Sequence, residues 1–123
     1  MRVKTRIAPS PTGPLHIGTA RTALFNWVWA QKHGGSFILR IEDTDIERSD
    51  PRFERDIIEG LRWVGIEWDG MYRQSERLNL YERTITKLLE EGKAFFCPHG
   101  EDELARERED QMQLRMSPRH VCE

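Results

Sequence analysis

The sequence contains only two cysteines, Cys97 and Cys122, among 123 residues. So few cysteines exclude a fold held together by a network of disulfides, and a structural disulfide between these two is the weaker explanation for them. No stretch approaches the roughly 20 consecutive apolar residues of a membrane-spanning helix. The first residues, MRVKTRIAPS, have no apolar run of the kind found in signal peptides. We therefore expect a cytoplasmic protein with no membrane partner.

An excess of charge of one sign is also missing. The chain has 19 basic and 21 acidic side chains, which give a formal net charge of −2. No general surface for polyanions follows from this balance, so any contact with nucleic acid would have to be local. Internal repeats and low-complexity linkers are absent as well, and the length suits one domain and hardly two.

What the sequence does have is an alternation of strand-like and helix-like segments. A period of two predicts a strand at residues 3–7, and the unbroken apolar start of residues 36–42 predicts a strand buried on both faces. Between them a helix begins near Ile17 and ends at two glycines. The residues that we expect on its inward side are Ile17, Ala20, Leu24, Trp27 and Val28.

The second half of the chain continues this pattern. Asp50 and Pro51 are typical of a helix start, and Gly65 of its end. We expect this helix to bury Phe53, Ile57, Leu61 and Val64. A helix over residues 76–91 would bury Leu78, Tyr81, Ile85, Leu88 and Leu89. A short strand at residues 93–97 and a surface helix at 101–115 complete the prediction, and the order of elements favours a parallel α/β sheet.

Two unusual loops, at residues 9–15 and 43–50, directly follow predicted strands. Ligands of parallel sheets bind at the carboxyl ends of the strands. The first loop leads into a helix N-terminus, which favours phosphate. Gly13 and Gly18 would let a base or phosphate approach the backbone, and His16 can donate a hydrogen bond to a phosphate oxygen. A proline-rich turn with a helix-capping histidine is the simpler interpretation, and these residues alone leave both open.

Several segments in order resemble a known family. RIAPSPTGPLHIGTARTALFNWVWA resembles the class I aminoacyl-tRNA synthetases, whose histidine-isoleucine-glycine motif corresponds to residues 16–18, with Thr19 at its fourth position. RIEDTDIERS, LRWVGIEWD and YRQSERLNLY resemble the bacterial-type glutamyl-tRNA synthetases in order and spacing. The resemblance covers residues 1–104. It implies the N-terminal half of a Rossmann-like catalytic domain at residues 1–92 and the start of an acceptor-binding, zinc-containing insertion at residues 93–123.

The resemblance also implies a reaction and its residues. The family uses ATP and Mg²⁺ to join the α-carboxylate of L-glutamate to the α-phosphate, releases pyrophosphate, and transfers the aminoacyl group to the acceptor end of tRNA(Glu). The implied catalytic positions are His16 and Gly18. The implied nucleotide positions are Pro9, Thr12, Gly13, His16 and Gly18. The implied glutamate positions are Arg6, Ala8, Ser10 and Glu42.

Simpler roles remain for some of these side chains. Arg6 has the fork that holds a carboxylate in two hydrogen bonds, although a strand-end arginine can equally pair with a nearby acid. Glu42 is a suitable partner for the α-ammonium group of the substrate. Asp43 and Asp45 offer ligands for Mg²⁺, but capping of the turn towards Asp50 is the favoured interpretation.

Two short motifs, Cys97-Pro98-His99 and His120-Val121-Cys122, contain both cysteines. Their four side chains suit a closed tetrahedral Zn²⁺ site. Some relatives in the resembled family have a Cys-x-Cys pair at the first motif, where this chain has His99. Two free cysteines and two surface histidines are the alternative. The acidic segment between the motifs is interpreted as a solvated face rather than an RNA-binding surface.

Three functional hypotheses follow. The first is an N-terminal portion of a glutamyl-tRNA synthetase, which the residues Asp43-Thr44-Asp45 and the segment RTALFNW favour. The second is a glutamyl-queuosine tRNA(Asp) synthetase, which shares the fold and the glutamate site. The third belongs to another class and is a truncated paralogue that binds a nucleotide or zinc without acylating tRNA.

Overall fold

The computed structural model describes residues 2–122, which form two compact units. The first unit ends at Tyr81, and the second begins at Glu82. Within the described residues, no helix combines the length and the apolar character that a membrane crossing requires. All the strands of the described residues belong to the first unit, so the sheet that positions the candidate site lies there.

Three short parallel strands form this sheet. They are β1 (Lys4–Ile7), β2 (Ser36–Ile41) and β3 (Gly70–Arg73), in the spatial order β1-β2-β3. Ile7 lies opposite Leu39, and Ile41 lies opposite Arg73. Because the strands run in the same direction, their carboxyl ends meet at one edge of the sheet. The predicted parallel α/β fold is confirmed.

Both helices of the β-α-β-α-β chain pack on one face of the sheet. α1 (Ile17–Lys32) connects β1 to β2, and α2 (Pro51–Trp63) connects β2 to β3. Their inward residues share one core with those of the strands, made of Ile7, Ala23, Ala30, Phe37, Leu39, Ile41, Ile57, Leu61 and Ile66. Ile57 and Leu61 are buried as predicted. Val64 is exposed, contrary to the prediction, because α2 ends one residue before it.

The buried side of α1 consists of alanines. Ala20, Ala23 and Ala30 are buried, whereas Ile17 is 85% exposed. Of the other residues expected on the inward side, Leu24 and Val28 are exposed as well, and Trp27 packs only partly against the core. Of the five residues predicted on the inward side, Ala20 is therefore correct, whereas Ile17, Leu24 and Val28 are wrong, because the sequence pattern favours large apolar residues. With methyl groups in the contact, the helix lies closer to the strands than leucines would allow.

β2 is buried on one face only. Phe37, Leu39 and Ile41 are fully buried, whereas Ile38 and Arg40 on the opposite face are half-buried. The prediction of two buried faces is wrong because both helices cover the same face. The opposite face lines a groove in the first unit instead.

The sequence does not predict β3, which has only four residues, GMYR. A carboxylate just before the strand ties it to β2. Asp69 Oδ2 accepts a hydrogen bond from the Phe37 N–H at 2.8 Å, and the Asp69 N–H donates to the Phe37 carbonyl at 2.9 Å. These partners are 32 positions apart in the chain, so no local pattern indicates the strand.

The ends of the helices follow the predicted signals. Asp50 accepts a hydrogen bond from the Arg52 N–H at 2.7 Å, and Gly65 follows α2 with a φ of 81°. Gly35, after α1, is required for a different reason, which is the close approach of the Val3 backbone. A Cβ atom at Gly35 would lie 2.3 Å from the carbonyl oxygen of Val3. Only glycine therefore lets β2 begin directly beside β1.

The remaining helices are α3 (Leu78–Glu90), which crosses the division between the units, and α4 (Glu101–Gln113). A 3₁₀ turn, Ser75–Arg77, precedes α3. Neither α3 nor α4 contains a buried residue. The inward stripe predicted for α3 is therefore wrong, since even Leu78 and Ile85 are about half exposed. α4 confirms the predicted surface helix.

The strand predicted at residues 93–97 does not form. The N–H groups of Lys93 and Ala94 donate to the carbonyl of Leu88 and turn the chain away from α3. Phe95 and Phe96 are exposed, so their side chains find no sheet to pack on within the described residues. Aromatic residues at this position favour a strand by propensity, but a strand needs a partner.

Replacing Leu39 by alanine should lower the free energy of unfolding of the first unit by about 3 kcal/mol, because a fully buried side chain leaves a cavity. Ile38→Ala is the matched control on the open face, and it should cost no more than about half as much. Urea unfolding followed by tryptophan fluorescence measures both, since all four tryptophans precede Tyr81. Equal losses would contradict the one-sided burial of β2.

Candidate active site and metal centre

The loop after β1 and the start of α1 form a cleft at the carboxyl edge of the sheet. Its volume is about 320 Å³, and it is lined by Ala8, Pro9, Ser10, Thr12, Gly13, Pro14, Leu15, His16, Thr19 and Ile57. Four of the five predicted nucleotide positions share this surface with two of the predicted glutamate positions, Ala8 and Ser10. The structure therefore brings most of the predicted residues together.

Backbone groups hold this loop against the ends of β2 and α2. The Glu42 N–H donates to the Pro9 carbonyl at 2.9 Å, and the Asp50 N–H donates to the Pro11 carbonyl at 3.0 Å. Asp56 Oδ2 on α2 accepts from the Leu15 N–H at 2.6 Å. Pro11 itself is fully buried. The loop is thus fixed at both ends by neighbouring elements.

His16 occupies the position just before α1, but its side chain does not cap the helix. Its carbonyl accepts from the N–H groups of Thr19 and Ala20, while ring Nε2 lies 3.0 Å from Thr19 Oγ1. A Cβ atom at Gly18 would lie 3.0 Å from ring atoms Cε1 and Nδ1 of His16. The glycine therefore leaves room for the imidazole, which is exposed at the mouth of the cleft.

Arg6 points to a different surface from Ala8 and Ser10. It lines a groove of about 510 Å³ on the open face of the sheet, together with Lys4, Thr5, Ile38, Arg40, Tyr72, Arg77, Leu80 and Tyr81. Within residues 2–122, Arg6 forms no ion pair. Four basic side chains thus share one face of a protein that has no net positive charge.

The acidic residues after β2 each have a defined partner. Glu42 forms an ion pair with Arg40, two positions earlier. Asp43 accepts hydrogen bonds from the N–H and the Oγ–H of Ser75, which together lower the pKa of its carboxyl group although burial acts in the opposite direction. Asp45 accepts from the backbone and side chain of Arg48, so it caps its own turn as predicted. The same prediction is wrong for Asp43, because its carboxylate pairs with Ser75, 32 positions away, and not with the turn towards Asp50.

The four predicted zinc ligands converge in the second unit. The ligand atoms of Cys97, His99, His120 and Cys122 all lie within 4.8 Å of one another. Cys97 Sγ is 3.5 Å from His99 Nδ1 and 3.5 Å from His120 Nε2, and Cys122 Sγ is 3.8 Å from His99 Nδ1. Sulfur and nitrogen ligands of one tetrahedral zinc ion are separated by about 3.5 Å, so the donor set fits this metal.

Two residues of α4 support this cluster, and no pattern in the sequence indicates either of them. Glu107 Oε2 lies 2.5 Å from His120 Nδ1, and the side-chain amide of Gln111 pairs with the backbone of Arg119. Nothing in the sequence marks Glu107, because it is one of several glutamates in an acidic helix and its partner is 13 positions away.

Comparison with known proteins identifies the family. The family model described as tRNA synthetases class I (E and Q), catalytic domain, matches residues 2–122. The chain belongs to this family. Its relatives within the class I synthetases include a glutamate–tRNA ligase of Nostoc punctiforme, 56% identical over 121 residues, and one of Desulforamulus reducens, 50% identical over 130 residues. Each match covers 98% of this chain and about a quarter of the relative, 25% and 27%.

Solved class I synthetase structures agree with this assignment. A glutamate tRNA ligase from Elizabethkingia meningosepticum, in complex with its amino acid, matches with a TM-score of 0.81 at 39% identity. A glutamate–tRNA synthetase from Elizabethkingia anophelis matches with a TM-score of 0.82 at the same identity. Both matches cover 94% of this chain and 25% of the solved chain. The chain therefore spans about a quarter of the length of these relatives.

The two thiols of this class I synthetase chain differ in acidity. The backbone N–H and the ring of His99 hydrogen-bond with the Cys97 sulfur and lower the pKa of that thiol to about 7. Burial and the neighbouring Cys97 raise the pKa of the Cys122 thiol. The carboxylate of Glu107, followed by the Cys97 sulfur, raises the pKa of His120. Cys97 is therefore the first of the two thiols to become a thiolate as the pH rises.

In the metal-free chain, alkylation of Cys97 by iodoacetamide should reach half of its maximal rate near pH 7. Cys122 in the same sample is the internal control and should react at higher pH. His99→Ala should move the Cys97 profile upwards, towards the ordinary value for a thiol. Mass spectrometry of the labelled peptides, recorded with a chelator present, separates the two sites. Identical profiles for both thiols would contradict the assignment.

Proposed function

We propose that the complete protein carrying this chain activates L-glutamate with ATP and ligates it to tRNA(Glu). In this proposal, the chain forms the N-terminal portion of the catalytic domain. The observation that carries it is the cleft of residues 8–16, with the His16 ring over Gly18, in a chain 56% identical to a glutamate–tRNA ligase. Two solved structures that the chain resembles, at 39% identity, are also glutamate–tRNA ligases, which supports the same class of reaction.

ATP and its Mg²⁺ are assigned to this cleft. Pro9, Thr12, Gly13 and His16 line it, and Gly18 makes room for the His16 ring. The first turn of α1 contains no acidic residue, so the positive end of the helix favours phosphate without competition. In the activation step, a carboxylate oxygen of glutamate attacks the α-phosphorus, and the bond to pyrophosphate breaks. His16 donates a hydrogen bond to the charge that develops on the phosphate oxygens.

Glutamate is assigned to Arg6, Ala8, Ser10 and Glu42. The guanidinium of Arg6 has no acidic partner within residues 2–122 and suits a substrate carboxylate. Glu42 suits the α-ammonium group, and its ion pair with Arg40 holds its carboxylate in place. Ala8 and Ser10 line the cleft assigned to the nucleotide, where the α-carboxylate would meet the α-phosphate.

The tRNA and the later part of the chain complete the proposal. Residues 93–123 are assigned to the beginning of the insertion that contacts the acceptor end, and residues 1–92 to the catalytic domain. The 3′-terminal ribose hydroxyl then attacks the activated carbonyl, and AMP leaves. Because this reaction supplies protein synthesis, we assign the protein to the cytoplasm.

A zinc ion is assigned to Cys97, His99, His120 and Cys122. Their spacing supports four-coordinate binding, and two thiolates with two imidazoles are a donor set that zinc accepts. The ion would have a structural role, because four protein ligands leave no position open for a substrate. It would join the segment after α3 to the segment after α4.

In the complete protein, His16→Ala should reduce the rate of glutamate activation roughly 100-fold, as expected for loss of one hydrogen bond made in the transition state. The matched control is His33→Ala, at the other end of α1, which should leave the rate unchanged. The measurement is glutamate-dependent exchange of pyrophosphate into ATP, run with and without tRNA(Glu).

The same assay separates the three functional hypotheses. Exchange that requires tRNA(Glu) supports the proposal. Exchange by the unaltered protein without any tRNA would instead indicate a glutamyl-queuosine synthetase. Absence of exchange under both conditions would indicate a protein that binds a nucleotide or zinc without acylation. An unchanged rate in His16→Ala would overturn the role of this side chain alone.

Arg6→Ala should raise the KM for glutamate at least about tenfold and leave the KM for ATP nearly unchanged, because a charged hydrogen bond to a carboxylate is lost. Lys4→Ala is the control, since Lys4 lines the same groove two residues earlier on β1. Steady-state aminoacylation by the complete protein gives both constants. Equal increases in the two KM values would point to a folding defect rather than to a glutamate contact.

A further inference from the structure

Burial of an apolar face does not explain why α4 is helical. None of its 13 residues is buried, and its first turn contains Glu101, Asp102 and Glu103. Isolated helices of this length are marginal in water. Capping supplies part of the stabilisation, since Glu103 Oε2 accepts a hydrogen bond from the Gly100 N–H at 2.9 Å. The rest must come from contacts that α4 makes with the chain around it.

Those contacts are made by two side chains one helical turn apart, Glu107 and Gln111. Gln111 Oε1 accepts from the Arg119 N–H at 2.6 Å, and Gln111 Nε2 donates to the Arg119 carbonyl at 2.9 Å. The amide thus pairs with a backbone segment as a neighbouring strand would. Gln111 Nε2 also donates to Glu107 Oε1 at 3.2 Å, which fixes the orientation of that carboxylate.

The second oxygen of the same carboxylate meets His120. Glu107 Oε2 lies 2.5 Å from His120 Nδ1, while His120 Nε2 lies 3.5 Å from Cys97 Sγ. A neutral imidazole carries one proton, and a carboxylate beside Nδ1 keeps it on that nitrogen. The lone pair of Nε2, the nitrogen near Cys97 Sγ, is then left available for a metal ion. The carboxylate–histidine–metal arrangement is a common second layer of zinc sites.

We propose that Glu107 is a positioning residue for the metal centre and that it couples metal binding to the folding of α4. This inference rests on the zinc site proposed above. The carboxylate selects the nitrogen of His120 that faces the metal and holds the ring in place. In return, a bound metal fixes His120, and through Glu107 and Gln111 it fixes α4 against residues 119–120.

The test compares zinc affinity among variants of this 123-residue chain by competition with a chromophoric chelator. Glu107→Ala should weaken zinc binding about 10- to 100-fold. Glu107→Gln keeps the size of the side chain and loses its charge, so its effect should be smaller but in the same direction. Glu109→Ala and Glu109→Gln make the same chemical changes at an exposed position of α4 and should leave the affinity unchanged.

A second measurement separates positioning from simple loss of a ligand. Cobalt(II) at saturation should give the intense visible absorption of a four-coordinate site in both the unaltered chain and Glu107→Ala, because all four ligands remain. Metal should increase the helical circular dichroism signal of the unaltered chain, and Glu107→Ala should show a smaller increase. If Glu107→Ala does not fold, Glu107→Gln against Glu109→Gln carries the comparison.

The outcomes distinguish the two proposals. If the unaltered chain binds no zinc, the metal site is wrong and this inference falls with it. If zinc binds but the Glu107 variants match the Glu109 variants in affinity and in helix gain, the metal site stands and the role of Glu107 is overturned. Selective loss in the Glu107 variants, with the four-coordinate cobalt spectrum retained, supports both.

Discussion

The parallel pairing of β1 with β2 is the constraint on which the candidate active site depends. It places the ends of both strands at one edge, where the Glu42 N–H can reach the Pro9 carbonyl and the Asp50 N–H can reach the Pro11 carbonyl. These two bonds, made by the segment after β2, decide where the loop lies. The loop in turn sets the direction of α1 and the position of His16 at its start. A proline-rich segment has few backbone donors of its own, so its carbonyl groups are available for neighbours.

Much of this arrangement can be predicted from sequence, because it follows from local rules. The period of two in β1, the helical spacing in α2, and Asp50 and Gly65 at the ends of α2 are all correct indicators. β3 cannot be predicted in this way, because its register depends on the pairing of Asp69 with Phe37, which is 32 positions away in the sequence. The inward side of α1 is not predicted correctly for another reason. Apolar spacing ranks residues by size, whereas a close contact with the sheet selects the smallest ones.

In the candidate sites, too, some features can be predicted from local sequence and others cannot. The loop positions are neighbours in sequence, and the four Cys and His residues form two short motifs of the same kind, so the sequence indicates each set, and the structure brings each set together. The surroundings of Arg6 are not predictable in this way, because they depend on which face of the sheet the helices leave open. Glu107 is not predictable either. An acidic helix offers many equivalent glutamates, and only the return of the chain at residues 118–120 distinguishes one of them.

The alanine contact of α1 limits how this protein can vary. At Ala23 and Ala30, which are fully buried, every larger side chain would push the helix away from the strands. The start of α1 would move with it, and His16 would shift relative to the loop after β1 that forms the rest of the cleft. Substitutions far from the cleft can therefore alter its shape, because α1 is about four turns long and transmits a displacement to its first residues. Adaptive change in α1 is thus confined to its outer side, where Phe25 and Trp29 already meet solvent.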